Sequence, residues 1–131
     1  MARCHRRLLC GGPVVIAVMS QSWVLDLGAH RQGFIDAYAT FGDFHRAQPG
    51  FRGRRLMAGI SDAHHMINVR YFDRVEDYEE MIKRPGYADH IDAMSAHIDI
   101  TRVPPKEYVE LIFADDPAGV VPGAVSPATI P

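Results

Sequence analysis

The feature that most limits the fold is a pair of β-compatible runs, residues 51–60 and 64–73, separated only by Ser61-Asp62-Ala63. A link this short makes an antiparallel hairpin the natural pairing. Strand side chains alternate, so in the second run Ile67, Val69 and Tyr71 share one face. His64, Met66, Asn68, Arg70 and Phe72 share the other. One side is apolar, and the other mixes apolar groups with an amide and a guanidinium.

The flanking segments supply the rest of the domain. Residues 16–27 are rich in β-formers, with Met19, Gln21, Trp23 and Leu25 on one face and Gly28 as the expected stop. Residues 29–48 read as a helix with an aromatic stripe of Phe34, Ala37, Tyr38, Phe41 and Phe44 or His45. Gly33 and Gly42 weaken its propensity, so packing must hold it, and Pro49-Gly50 ends it. Residues 75–84 give a short helix, acidic at its start and closed by Lys83-Arg84, as the helix dipole favours. Its apolar side is Val75, Tyr78, Met81 and Ile82, and its acids read as a solvated outer face. Pro85-Gly86 interrupts it, and residues 87–98 resume it with Tyr87, Ile91, Met94 and Ile98 on one side. After Pro104-Pro105, residues 107–113 form a last strand.

Strand, helix, strand, strand, broken helix, strand is an α+β, ferredoxin-like split βαβ layout: a four-stranded antiparallel sheet with helices on one face. It occupies residues 16–113, preceded by an extension over 1–15 and followed by a Pro- and Gly-rich irregular tail over 114–131. Arg3, Arg6 and Arg7 before an apolar run resemble a signal peptide, but Gly11-Gly12-Pro13 breaks that run and the following residues serve as the first strand. The segment therefore reads as a short, poorly ordered extension of a cytoplasmic domain, with secretion the minority reading.

Charge narrows the partners. A formal net charge of -2 offers no field for nucleic acid, and Arg52, Arg54 and Arg55 read as a solvated rim. No apolar run has the length of a membrane span. Cys4 and Cys10 form neither a zinc spacing nor a disulfide framework. His90 and His97 lie seven apart on a helix, roughly 10 Å along its axis, and His64 and His65 point to opposite faces of a strand. No metal site is expected.

Two junctions carry a family resemblance. Gln48-Pro49-Gly50-Phe51 resembles the Pro-Gly-Phe or Pro-Gly-Cys junction of the antibiotic biosynthesis monooxygenase group. Arg70-Tyr71-Phe72-Asp73-Arg74-Val75-Glu76-Asp77-Tyr78 resembles that group's strand-to-helix segment, with Phe72 where the group usually has Trp. The resemblance implies a dimeric α+β barrel, in which two copies pair their sheets. The apolar face of Ile67, Val69 and Tyr71 suits this, since a sheet with helices on one side leaves that patch wet.

The same resemblance implies a cofactor-independent monooxygenase acting with dioxygen on a flat aromatic or polyketide-like molecule. Asn68, Phe72 and Tyr78 stand where the group has its strand Asn, its Trp and its helix Tyr. An amide holds a substrate oxygen, and rings sandwich a flat ligand. Loss of the indole N–H at Phe72 bears on oxygen activation. Arg70 shares the face of Asn68 and could neutralise a substrate anion, while His90 could serve as a base alongside Tyr78. Trp23, Tyr38 and Tyr87 complete the expected aromatic lining. Two further readings follow: a haem-degrading relative, with Gln21, Phe72 and His90 near that branch's functional positions, and a non-catalytic small-molecule-binding or assembly module.

Overall fold

A computed structural model of the chain describes residues 15–116. Residues 1–14 of the expected extension and 117–131 of the expected tail lie outside the described residues. Four strands, β1 (Ile16–Trp23), β2 (Phe51–Ala58), β3 (His65–Phe72) and β4 (Glu107–Glu110), form one antiparallel sheet in the order β2-β3-β1-β4. Helices α1 (Leu27–Thr40), α2 (Gly42–Arg46), α3 (Val75–Met81) and α4 (Tyr87–Ser95) connect them. The ferredoxin-like expectation holds in order, pairing and layer.

Element ends differ from the sequence expectation for local reasons. Asp26 caps α1 by accepting from the Ala29 N–H at 3.1 Å, so the helix starts at Leu27 and takes in Gly28. The expected helix over 29–48 divides at Phe41 into α1 and α2. At the division Arg54 of β2 donates to the carbonyls of Tyr38 and Ala39, taking up the orphan acceptors at the end of α1. Gly42 leaves room for this, since a Cβ there would stand 2.6 Å from Arg54 Nη2.

The two family-like junctions meet in space. Gly50 has φ 80, and its carbonyl accepts from the Asp73 N–H at 2.8 Å. A Cβ on Gly50 would fall 2.1 Å from Asp77 Oδ2. The Pro-Gly-Phe corner is thus fitted against the start of α3. A bulge at Arg52 follows, between the pairs Phe51–Phe72 and Gly53–Tyr71. Arg52 pairs with Asp73 at 2.6 Å.

Side-chain alternation sorts the sheet into two faces. Ile16 and Val18 of β1 and Phe72 of β3 join Tyr78 and Met81 of α3 in one buried cluster. Val24 and Met66 join Phe34, Phe41 and Met94 in a second. Between the clusters the helix-facing positions turn polar: Ser20 and Ser22 on β1, Asn68 and Arg70 on β3, with Ser20 opposite Asn68 and Val18 opposite Arg70. Ala17, Met19, Ile67, Val69 and Tyr71 occupy the face away from the helices, as the alternation predicts.

Candidate functional site

The polar belt between the two clusters is where the chain leaves space. A cavity of about 290 Å³ lies over Ser20, Ser22, Asn68 and Arg70. Phe34, Phe41, Met66, Ile91 and Met94 supply its apolar walls. Pro104, Pro105 and Lys106, just before β4, close one side. The volume is near the lower end for small-molecule pockets, and the lining has the usual make-up: apolar walls with a few polar groups.

Arg70 dominates the electrostatics. It is 2% exposed, and among the described residues its side chain makes one hydrogen bond, from Nη2 to Ser20 Oγ at 3.3 Å. Its Nε is buried without a partner. The guanidinium carbon lies 5.2 Å from the centre of the Tyr78 ring, a cation–π contact. Arg54 stands directly opposite on β2, so two like charges face each other across the ladder. Arg54 turns to the end of α1 and lies 4.0 Å over the Tyr38 ring. Burial and its cationic neighbours hold Arg54 below the usual arginine pKa, despite the opposing effect of Tyr38.

Around Arg70 a set of buried polar atoms lacks hydrogen-bond partners: Asn68 Oδ1, Tyr78 Oη, Tyr87 Oη, Tyr38 Oη and His45 Nε2. Such atoms are uncommon in folded proteins; of these residues Asn68 lines the cavity, whereas Tyr38 interacts with Arg54 and Tyr87 with Tyr78. Burial pushes the Tyr38 phenol up to about 12, against the pull of Arg54 and Arg70. Burial also raises Tyr87, reinforced by the neighbouring Tyr78. Both phenols therefore stay protonated near neutrality.

His45 is a residue that sequence reasoning missed as a polar centre. Its Nδ1 stands 3.0 Å from the Phe41 carbonyl, which can only accept, so Nδ1 carries the proton. Nε2 is left as a bare lone pair. Burial lowers its pKa to about 3. A base this weak takes little part in proton abstraction at neutral pH.

The expected site residues divide. Asn68 and Arg70 line the cavity, and Tyr78 adjoins Arg70. Phe72 packs edge-on against Tyr78 at 5.7 Å, inside the first cluster. His90 stacks on Phe41, centroids 4.5 Å apart, one ring behind the cavity wall. Tyr87 packs against both clusters, and Tyr38 lies under Arg54. Trp23 is not brought to the cavity. It sits on the opposite sheet face, stacked on His65 at 4.5 Å, with its indole N–H donating to Asp62 at 3.2 Å. The guanidinium of Arg102 lies 3.9 Å from its ring centre. Ser20, Ser22 and Lys106 were not anticipated. The two serines were visible as polar interruptions in an otherwise apolar strand face; Lys106 came from a loop with no pattern to read.

Among the described residues no group of three or more His, Cys, Asp or Glu side chains could hold a metal ion. None of the described helices is long and apolar enough to cross a membrane.

No family model matches the sequence, and no curated protein matches it. Solved structures do resemble the fold. SnoaB of Streptomyces nogalater, a cofactor-independent oxygenase, aligns over 80% of this chain and 97% of its own with TM-score 0.59 and 17% identity. A Bordetella bronchiseptica protein provisionally assigned as an antibiotic biosynthesis monooxygenase aligns over 77% and 98%, with TM-score 0.62 and 12% identity. Rv0793 of Mycobacterium tuberculosis aligns over 78% and 97%, with TM-score 0.57 and 16% identity. The chain thus has the fold found in antibiotic biosynthesis monooxygenase structures, as the two junction motifs implied.

Proposed function

We propose that the chain is a cofactor-independent, monooxygenase-like enzyme acting on a flat aromatic or polyketide-like molecule in the cavity beside Asn68. The observation that carries this reading is the buried, unpartnered Asn68 Oδ1 on the cavity wall, next to Arg70. SnoaB, which shares the fold, is a cofactor-independent oxygenase, and that supports the reaction class.

In this reading a phenolic substrate lies between the rings of Phe34 and Phe41 and the side chains of Met66 and Met94. Asn68, donating through Nδ2, and Arg70 hold its oxygen and favour the phenolate, which is the electron donor, while Asn68 Oδ1 accepts from a second substrate hydroxyl. Dioxygen bonds to a ring carbon that carries hydrogen. The peroxide then loses water, so one phenol and one dioxygen give one quinone and one water. Tyr78, adjoining Arg70, donates a proton to the departing oxygen. Phe72 acts as a packing residue that sets the Tyr78 ring.

A second copy of the chain covers the outer sheet face of Met19, Ile67, Val69 and Tyr71, making a homodimer. It covers the part-exposed side chains of Met19, Ile67 and Tyr71, Val69 being already buried within one copy.

The test is turnover of polycyclic phenols. Asn68→Ala is expected to lower turnover by on the order of 100-fold, the usual loss for an oxyanion donor. Tyr78→Phe is expected to slow it less. Unchanged turnover in both variants would show that these residues have other roles. Tight ligand binding with no product would leave the domain as a binding module.

A further inference from the structure

We infer that the ligand of this cavity is an aromatic acid, whose carboxylate pairs with Arg70 and Lys106 while its rings lie on the apolar walls. This deepens the proposed reading by naming the substrate's charged group, and it rests on that reading only in taking this cavity as the ligand site.

The argument begins with a missing partner. Arg70 is buried, yet no carboxylate lies among the described residues that line the cavity. Its one hydrogen bond, to Ser20, uses one of five N–H donors. A buried guanidinium without a counter-charge is costly, and proteins normally pair it. Here the neighbourhood makes matters worse, since Arg54 faces Arg70 across the strands. Lys106, the other charged residue of the lining, is also a cation, with Nζ 5.9 Å from the centre of the same Tyr78 ring. Arg70 and Lys106 therefore lie 5.2 and 5.9 Å from the centre of one ring, that of Tyr78, and Arg54 adds a third cation across the strands.

A neutral ligand would leave this charge uncompensated. A phenolate presents one oxygen, which leaves most of the guanidinium's donors unused. A carboxylate presents two oxygens in the plane that an arginine fork matches. The apolar walls formed by Phe34, Phe41 and Met94 then require the rest of the molecule to be ring-like and uncharged.

Calorimetric titration of the full chain with 2-naphthoate and with its neutral analogue 2-naphthamide, under argon, tests the inference. The acid is expected to bind at least about ten-fold tighter than the amide. Arg70→Met is expected to weaken the acid by on the order of 10–100-fold, the range for a lost charged hydrogen bond, and to weaken the amide by much less. Lys106→Met, a change at an exposed position, is expected to weaken the acid several-fold and spare the amide. Equal binding of acid and amide, absence of acid binding, or a preference that survives both substitutions overturns the inference. Oxygen uptake is read separately. A strong preference for the acid with no oxygen uptake on any phenol upholds the inference while removing the oxygenase reading; uptake without any such preference does the reverse.

Discussion

Arg70 holds its guanidinium carbon 5.2 Å from the centre of the Tyr78 ring, between two apolar clusters and with no carboxylate among the described cavity-lining residues. A cation in that position is kept at the expense of stability in the empty protein. Arg70→Met preserves most of the stem volume and removes the charge. It is expected to stabilise the ligand-free protein by about 1–3 kcal/mol, as replacement of buried charge by apolar groups often does. Chemical denaturation would show a higher midpoint at unchanged slope. A lower midpoint would mean that the guanidinium is satisfied by the protein itself.

The contact between Gly50 and Asp77 predicts a large effect from a small change. Alanine at position 50 must adopt φ 80 and accept an Asp77 oxygen 2.1 Å from its Cβ. Backbone strain at positive φ costs about 1–2 kcal/mol, and displacing the aspartate adds to it. Gly50→Ala is therefore expected to lower the unfolding free energy by at least about 2 kcal/mol. The double variant with Asp77→Ala should recover the steric part and keep the strain. Equal losses in the single and double variants would place the whole effect in the backbone.

His45 predicts an acid sensitivity. Its folded pKa is lowered to about 3, while the unfolded side chain protonates near 6.5. Below that pH the unfolded chain binds the additional proton, so stability present above pH 6.5 is lost as pH falls toward 3. Relative to His45→Phe, the natural protein should lose about 1.4 kcal/mol per pH unit below roughly pH 6. Urea midpoints of the two proteins at several pH values check this. Parallel pH profiles would contradict it.

Much of this was legible from alternation and punctuation. The period of two in residues 64–73 put Asn68 and Arg70 on the helix side, and Ile67, Val69 and Tyr71 on the other. Pro49-Gly50 and Pro85-Gly86 marked real breaks, because proline and glycine act through their own backbones. What was not legible depends on distant partners. The division of the helix at Phe41 follows from Arg54, a strand residue that takes the carbonyls of Tyr38 and Ala39. The weak basicity of His45 arises from its burial and the charge of Arg70, and its ring packs on Phe51, a strand residue that it meets in the folded chain. Trp23 was expected at the site on aromatic character alone. Its place in the strand puts it on the outer sheet face with His65, Asp62 and Arg102.

The central claim, a cavity over Asn68 that oxygenates its ligand without a metal or organic cofactor, is tested most directly by isotope labelling. Purified protein is incubated with a polycyclic phenol, a metal chelator and heavy-oxygen dioxygen, and the product is weighed by mass spectrometry. The account predicts a quinone carrying one labelled oxygen atom, formed by the natural protein and nearly absent with Asn68→Ala. A quinone without label, or labelled product formed equally well by Asn68→Ala, would contradict it.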